Sequence, residues 1–125
     1  MKKRPVNLAL STIKFPSTAI ASILHRASGV ILFFAIPILL CALDFSLQSE
    51  EGFLDVTSFF NNAFFKFVVW GMICAFIYHL VAGIRHLLMD FWHIGEGKCS
   101  GKIGAYVVFV LSFLLIVIFS IGFWL

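Results

Sequence analysis

Phe67-Val68-Val69-Trp70-Gly71-Met72-Ile73-Cys74-Ala75-Phe76-Ile77-Tyr78-His79-Leu80-Val81-Ala82-Gly83-Ile84 is a run without a formal charge, and it continues as Arg85-His86-Leu87-Leu88-Met89-Asp90. A helix needs about 20 apolar residues to cross the ~30 Å hydrocarbon core of a bilayer, so this run with its flanks is long enough to span one. His79 lies inside the run and Arg85 just past it. An imidazole in hydrocarbon is costly, so its default reading is a functional group turned toward other protein or a cofactor.

The rest of the composition agrees with a membrane protein. Of 125 residues, 62% are hydrophobic and 12% charged, 16 are Phe, and the mean hydropathy is +1.07. A soluble domain of this size leaves about a third of its surface in water and could not hide that much apolar area. The net charge of +3 forms no basic patch with interleaved aromatics, which excludes a nucleic-acid partner. Cys41, Cys74 and Cys99 lie far apart and form no CxxC or CxxCH pattern, which argues against iron-sulfur ligation and covalent haem attachment. Cys41 and Cys74 fall in apolar stretches and read as packing residues. Met1-Lys2-Lys3-Arg4-Pro5 resembles a signal n-region, but no apolar core with a small-residue cleavage site follows.

Working outward along the chain, residues 1–20 are mixed in polarity and belong in water or on the membrane surface. Pro16-Ser17-Thr18 marks a helix start, since proline is accepted in a first turn. That helix passes through Ser22, His25 and Arg26 into a uniformly apolar segment, with a span over about 22–47 and Pro37 near its middle as an expected kink. Asp44 to Lys66 brings Glu50, Glu51, Gly52, Asp55, Asn61 and Asn62, an acidic stretch outside the bilayer. Phe53, Leu54, Phe59 and Phe60 within it predict a short segment lying on the interface. A second span covers about 66–90, a glycine-rich turn follows, and a third span covers 103–125 and ends near an interfacial Trp124.

The predicted fold class is therefore an all-α integral membrane protein, one membrane domain over residues 1–125 with three transmembrane helices. Eight basic residues (Lys2, Lys3, Arg4, Lys14, Arg26, Arg85, Lys98, Lys102) fall on one side and only Lys66 on the other. By the positive-inside rule the N-terminus is cytoplasmic and the C-terminus outside.

Two constellations in the spans carry chemistry. His79, Gly83 and His86 recur at i, i+4 and i+7 and share a helical stripe, on which Gly83 leaves a notch for a neighbouring helix or a flat macrocycle. The two histidines are about 10 Å apart along the axis, too far to hold one metal ion. A six-coordinate haem iron on His79 would take its second axial ligand from elsewhere. The competing reading is that His79 hydrogen-bonds across a helix interface beside Tyr78. Spacing leaves both open.

At the first helix entrance Ser22 and Arg26 are four apart with His25 adjacent. A hydroxyl beside a fixed cation at headgroup depth suits a ligand that is apolar at one end and carries carbonyl oxygens at the other, as a quinone does. The alternative is that Arg26 snorkels to lipid phosphate and Ser22 bonds its own backbone. Both constellations face the same side of the membrane. Arg85, His86, His25 and Arg26 together form a cationic collar suited to haem propionates, unless Arg85 is merely interfacial and paired with Asp90.

These residues resemble the cytochrome b membrane-anchor subunits of succinate dehydrogenase, respiratory complex II. The likeness covers nearly the whole chain: Arg4-Pro5-Val6-Asn7-Leu8, then Ser22-Ile23-Leu24-His25-Arg26-Ala27-Ser28-Gly29, then His79 through Asp90. The last two correspond to the family patterns S-x-x-H-R-x-[ST]-G and H-x-x-x-G-x-R-H-x-x-x-D. Many relatives carry Ser-Pro-His after the first Arg-Pro; Val6-Asn7-Leu8 here resembles the enterobacterial-type branch.

The resemblance implies half of a heterodimeric haem-binding helix bundle in a bacterial inner membrane, with a periplasmic C-terminus. It implies that His79 is an axial ligand of haem b, that a second small anchor subunit gives the other ligand, and that Ser22, Ile23 and Arg26 belong to the ubiquinone site. His25 and Arg26, with Arg85 and His86, would lie near the haem propionates. Flavin and iron-sulfur clusters would reside in a flavoprotein subunit and an iron-sulfur subunit that oxidise succinate, leaving this chain to help pass electrons to ubiquinone. Two other classes compete: a haem-free structural anchor, and a transporter or channel subunit. The latter is disfavoured because the spans lack a train of ionisable groups.

Overall fold

The computed structural model describes residues 12–125, which form four helices: α1 (Ser17–Gln48), α2 (Glu50–Asn61), α3 (Ala63–Trp92) and α4 (Lys98–Trp124). The expectations for Lys2, Lys3, Arg4 and the 4–8 segment lie outside the described residues. α1, α3 and α4 hold 32, 30 and 27 residues, with apolar windows of mean hydropathy 2.5, 2.1 and 2.8. Each exceeds the length that a membrane crossing requires. The chain is a multi-pass, all-helical membrane protein.

Helix ends project beyond the apolar segments. α1 starts directly after Pro16, whose carbonyl accepts from the amides of Ala19 and Ile20 at 2.9 and 3.2 Å. It continues through Pro37 as one helix and past Asp44 to Gln48, close to the end of the span expected over about 22–47. Asp44 leaves the apolar face without ending the helix, because its carboxylate accepts from Gln48 Nε2 one turn on at 3.0 Å.

The acidic segment is a helix, α2, held by a tight junction. Ser49 Oγ accepts from the Gly52 amide at 2.9 Å, and Glu50 and Glu51 fill the first turn, where the helix dipole favours negative charge. Gly52 is buried, and a Cβ there would sit 2.7 Å from the carbonyl oxygen of Phe45. Asn62 then closes α2 and opens α3: its amide donates to Phe59 O at 3.1 Å, and its side-chain oxygen accepts from Phe64 N at 3.0 Å. At the far end of α3, His93 takes a left-handed conformation (φ 53°) and donates its amide to Met89 O at 3.0 Å. Gly95 (φ +90°) completes the reversal into α4.

α3 runs antiparallel to α1 and α4, and all three pack on one another. The seam is made of small residues: Ala21, Ser28 and Ala35 recur every seven positions on α1, and Gly101, Ala105, Val108 and Ser112 recur at i, i+4, i+7 and i+11 on α4. A seven-residue repeat keeps one stripe facing the neighbour, and small side chains let backbones approach closely where lipid offers no hydrophobic drive for association. No large side chain is fully buried among the described residues. Leu, Ile, Val and Phe line the outer faces, and Cys41 is exposed there, contrary to its reading as a packing residue, while Cys74 is half-buried.

Candidate functional site

Helix α1 delivers Ser22, His25, Arg26, Ser28 and Gly29 against the C-terminal half of α3, and this crossing builds the site. Tyr78 secures the register by donating its hydroxyl to Ala21 O at 3.0 Å. At the opposite end of α3, Trp70 Nε1 donates to Ser120 Oγ at 2.8 Å and ties α3 to α4.

His79 Nδ1 lies 3.0 Å from Ser28 Oγ and 3.1 Å from the carbonyl oxygen of His25. The Ser28 hydroxyl itself donates to that carbonyl at 2.8 Å. A carbonyl can only accept, and the single Ser28 proton is already committed, so the tautomer that satisfies both contacts carries its proton on Nδ1. Nε2 keeps its lone pair; it makes no hydrogen bond among the described residues and is not sealed from the surface.

The His25 ring stacks on His79 with centroids 4.2 Å apart and planes inclined by 19°. Two glycines permit this. A Cβ on Gly29 would lie 3.1 Å from His79 Cε1, and one on Gly83 would lie 3.4 Å from His25 Nε2. The notch read at Gly83 is thus filled by the neighbouring helix. His25 Nε2 is buried there without a hydrogen-bond partner. His86, one turn further, is tilted against His25 at 6.4 Å and pairs with Asp90 at 3.5 Å. Asp90 therefore pairs with His86 and not with Arg85.

Arg85 reaches across to α4, donating to Gly101 O at 3.2 Å beside Gly104, where a Cβ would meet its Nε at 2.9 Å. Arg26 donates to Ser22 Oγ at 3.1 Å, so the Ser22 hydroxyl is engaged by the guanidinium one turn later. Ser22, His25, Arg26, Arg85 and His86 line a common pocket of about 320 Å³ floored by Ala21, Ala82 and Val108. Through Ser22, Arg85 and His86 it continues into a 650 Å³ groove at the α3–α4 turn that includes Lys98, Lys102 and Glu96. Ile23 stands apart on an exposed face of α1 and does not line the pocket.

Ser28 and Gly29 lie within the quoted motif, yet nothing in their residue types marked them as contacts of His79. The seven-residue spacing of Ser28 from Ala21 and Ala35 was the available signal, because it places Ser28 on the buried stripe.

The family described as succinate dehydrogenase/fumarate reductase transmembrane subunit matches residues 1–119. The chain belongs to this family. The succinate dehydrogenase cytochrome b556 subunit of Coxiella burnetii is 44% identical over 125 residues, covering 98% of each chain. The cytochrome b556 subunit of Rickettsia felis is 39% identical over 115 residues, covering 90% of this chain and 87% of its own. The cytochrome b560 subunit of Cyanidium caldarium is 34% identical, with 71% of each covered. As a succinate dehydrogenase anchor subunit, the chain accounts for three spans built around a polar crossing.

Proposed function

We propose that this anchor subunit holds haem b through His79, together with a second small anchor subunit, and forms part of the site at which ubiquinone is reduced with electrons from succinate. The observation that carries the reading is the His79 ring: Nδ1 is held on α1 and Nε2 is left with a free lone pair. Metal-bound histidines have this arrangement, with the far nitrogen hydrogen-bonded to a carbonyl or similar acceptor. The flanking residues also fit the group. Arg26, Arg85 and His86 supply positive charge around one pocket, where carboxylates would be balanced, and the unpartnered Nε2 of His25 lies at its edge.

Bound haem supplies a one-electron carrier at this depth. The chain's own contribution to quinone chemistry lies at Ser22 and Arg26, with Ile23 as an apolar neighbour toward the partner surface. Reduction places negative charge on a quinone oxygen before protons arrive, and a hydroxyl polarised by a guanidinium 3.1 Å away is a donor prepared for that charge. Arg26 remains protonated and orients the donor. An iron-sulfur subunit and a flavoprotein subunit would dock on the cytoplasmic side of a bacterial inner membrane, near the basic groove that holds Lys98 and Lys102.

The test is the axial-ligand spectrum of the purified complex. His79→Ala is expected to abolish the low-spin signature even if haem stays trapped by apolar contacts. An unchanged low-spin spectrum would refute the assignment, and an intact complex without haem would favour a haem-free structural anchor.

A further inference from the structure

We propose that the Ser28 hydroxyl, acting with the His25 carbonyl, is a positioning group that fixes the His79 imidazole and sets its strength as a ligand. This rests on the reading of His79 as a ligand of the haem iron. Ser28 is 5% exposed and could have been any small residue for packing alone. Its hydroxyl nevertheless sits between two groups at once, 2.8 Å from His25 O as donor and 3.0 Å from His79 Nδ1 as acceptor.

Four contacts from three residues of α1 define the ring. The Ser28 oxygen and the His25 carbonyl hold Nδ1–H at 3.0 and 3.1 Å, the His25 ring covers one face at 4.2 Å, and the bare Cα of Gly29 admits the ring edge close to the backbone. Rotation about χ2 would break both hydrogen bonds. The ring can therefore offer only Nε2 outward, in one orientation.

The hydrogen bonds also tune the ligand. A proton on Nδ1 that is shared with acceptors leaves more electron density on Nε2, which makes the imidazole a stronger donor. Stronger donation favours the more positive oxidation state of a bound iron. Loss of the Ser28 acceptor should weaken binding of the oxidised form more than the reduced form and so raise the midpoint potential. Outer contacts of this kind change metal affinity by about 10- to 100-fold. If up to tenfold of this discriminates between oxidation states, the rise is at most about 59 mV for a one-electron couple.

Ser28→Thr and Ser28→Val separate the hydroxyl from its volume, because the two replacements have nearly the same shape. In the purified complex, Ser28→Thr is expected to keep the wild-type low-spin spectrum and potential. Ser28→Val should show a raised potential or a weakened axial-ligand signature. A packing role would treat the two alike, so equal behaviour overturns the proposal, whether both match wild type or both lose haem. His79→Ala run alongside keeps the two readings apart: an unchanged spectrum there removes the ligand assignment itself, whereas a changed one with equal Thr and Val variants removes only the role of Ser28.

Discussion

Ser22 and Arg26, the pair proposed to act on quinone, are a hydroxyl and a guanidinium one turn apart at 3.1 Å in the lining of one pocket. Ser22→Ala and Arg26→Leu are expected to lower quinone reduction by roughly ten- to a thousandfold, the scale of losing a donor to developing charge. Succinate oxidation measured with an artificial dye should persist. If dye reduction falls in parallel, the residues serve assembly and not quinone chemistry. His86→Ala should perturb the haem spectrum less than His79→Ala, since His86 is exposed and engaged with Asp90 at 3.5 Å. A low-spin signal lost in His86→Ala and kept in His79→Ala would reverse the two assignments.

At the scale of elements, the junctions between helices are where single atoms matter. Gly52→Ala would drive a Cβ to 2.7 Å from the Phe45 carbonyl, so either α2 or the end of α1 must shift. The expected cost is about 1–3 kcal/mol, as for overpacking elsewhere, and a thermal melt of the complex should register it. An unaltered melt would mean that the α1–α2 junction yields freely. The α3–α4 turn carries a different device. His93 Nδ1 is 2.6 Å from Glu96 Oε1, and this hydrogen bond, followed by the carboxylate charge, raises the His93 pKa above its ordinary value. A raised folded-state pKa means that the contact supports the turn when His93 is protonated, below the unfolded-state value, and that the support fades as pH rises through the folded value. Amide exchange in residues 93–97 should accelerate over that rise, and His93→Gln should remove the pH step. A step that survives the substitution would point to another group.

For the whole molecule, the decisive fact is that the bundle has a seam but almost no interior. Among the described residues Ala105, Val108, Ala35 and Ala21 are the most buried apolar ones, while Phe33, Phe34, Phe113 and Ile118 lie more than 60% exposed. Lipid covers such faces in a membrane protein, and the proposed second anchor subunit would cover part of them. The isolated chain in detergent should therefore be polydisperse and poor in haem, and co-purification with a second anchor subunit should correct both; a monodisperse, haem-replete monomer would contradict a shared site. Three crossings would place the start of α1 and the end of α4 on opposite sides of the membrane. Cysteine labelling within α2 and at Lys98 should react from opposite faces of the membrane, with Lys98 cytoplasmic, and labelling of both from one side would break the topology.

Fold class, span number and the two polar constellations were legible in the amino-acid order, because hydropathy over some 20 residues is a one-dimensional property and a charge or imidazole within such a run is conspicuous. Helix ends were less so: Asp44 and Gln48 signal departure from hydrocarbon, but a helix bonds its backbone internally and continues into water. Acidic residues at 50 and 51, read only as part of a stretch outside the bilayer, fill the first turn of α2, where they meet the positive end of its dipole. Which groups meet across α1 and α3 was not encoded in any local pattern. Ser28 is an unremarkable small residue until the heptad seam lays it 3.0 Å from His79, 51 positions away, and the notch at Gly83 admits His25 only because α1 crosses there. Residue types determined that an imidazole would sit inside an apolar run with basic side chains at its end; the crossing of two helices decided which nitrogen of that imidazole is held and which is free.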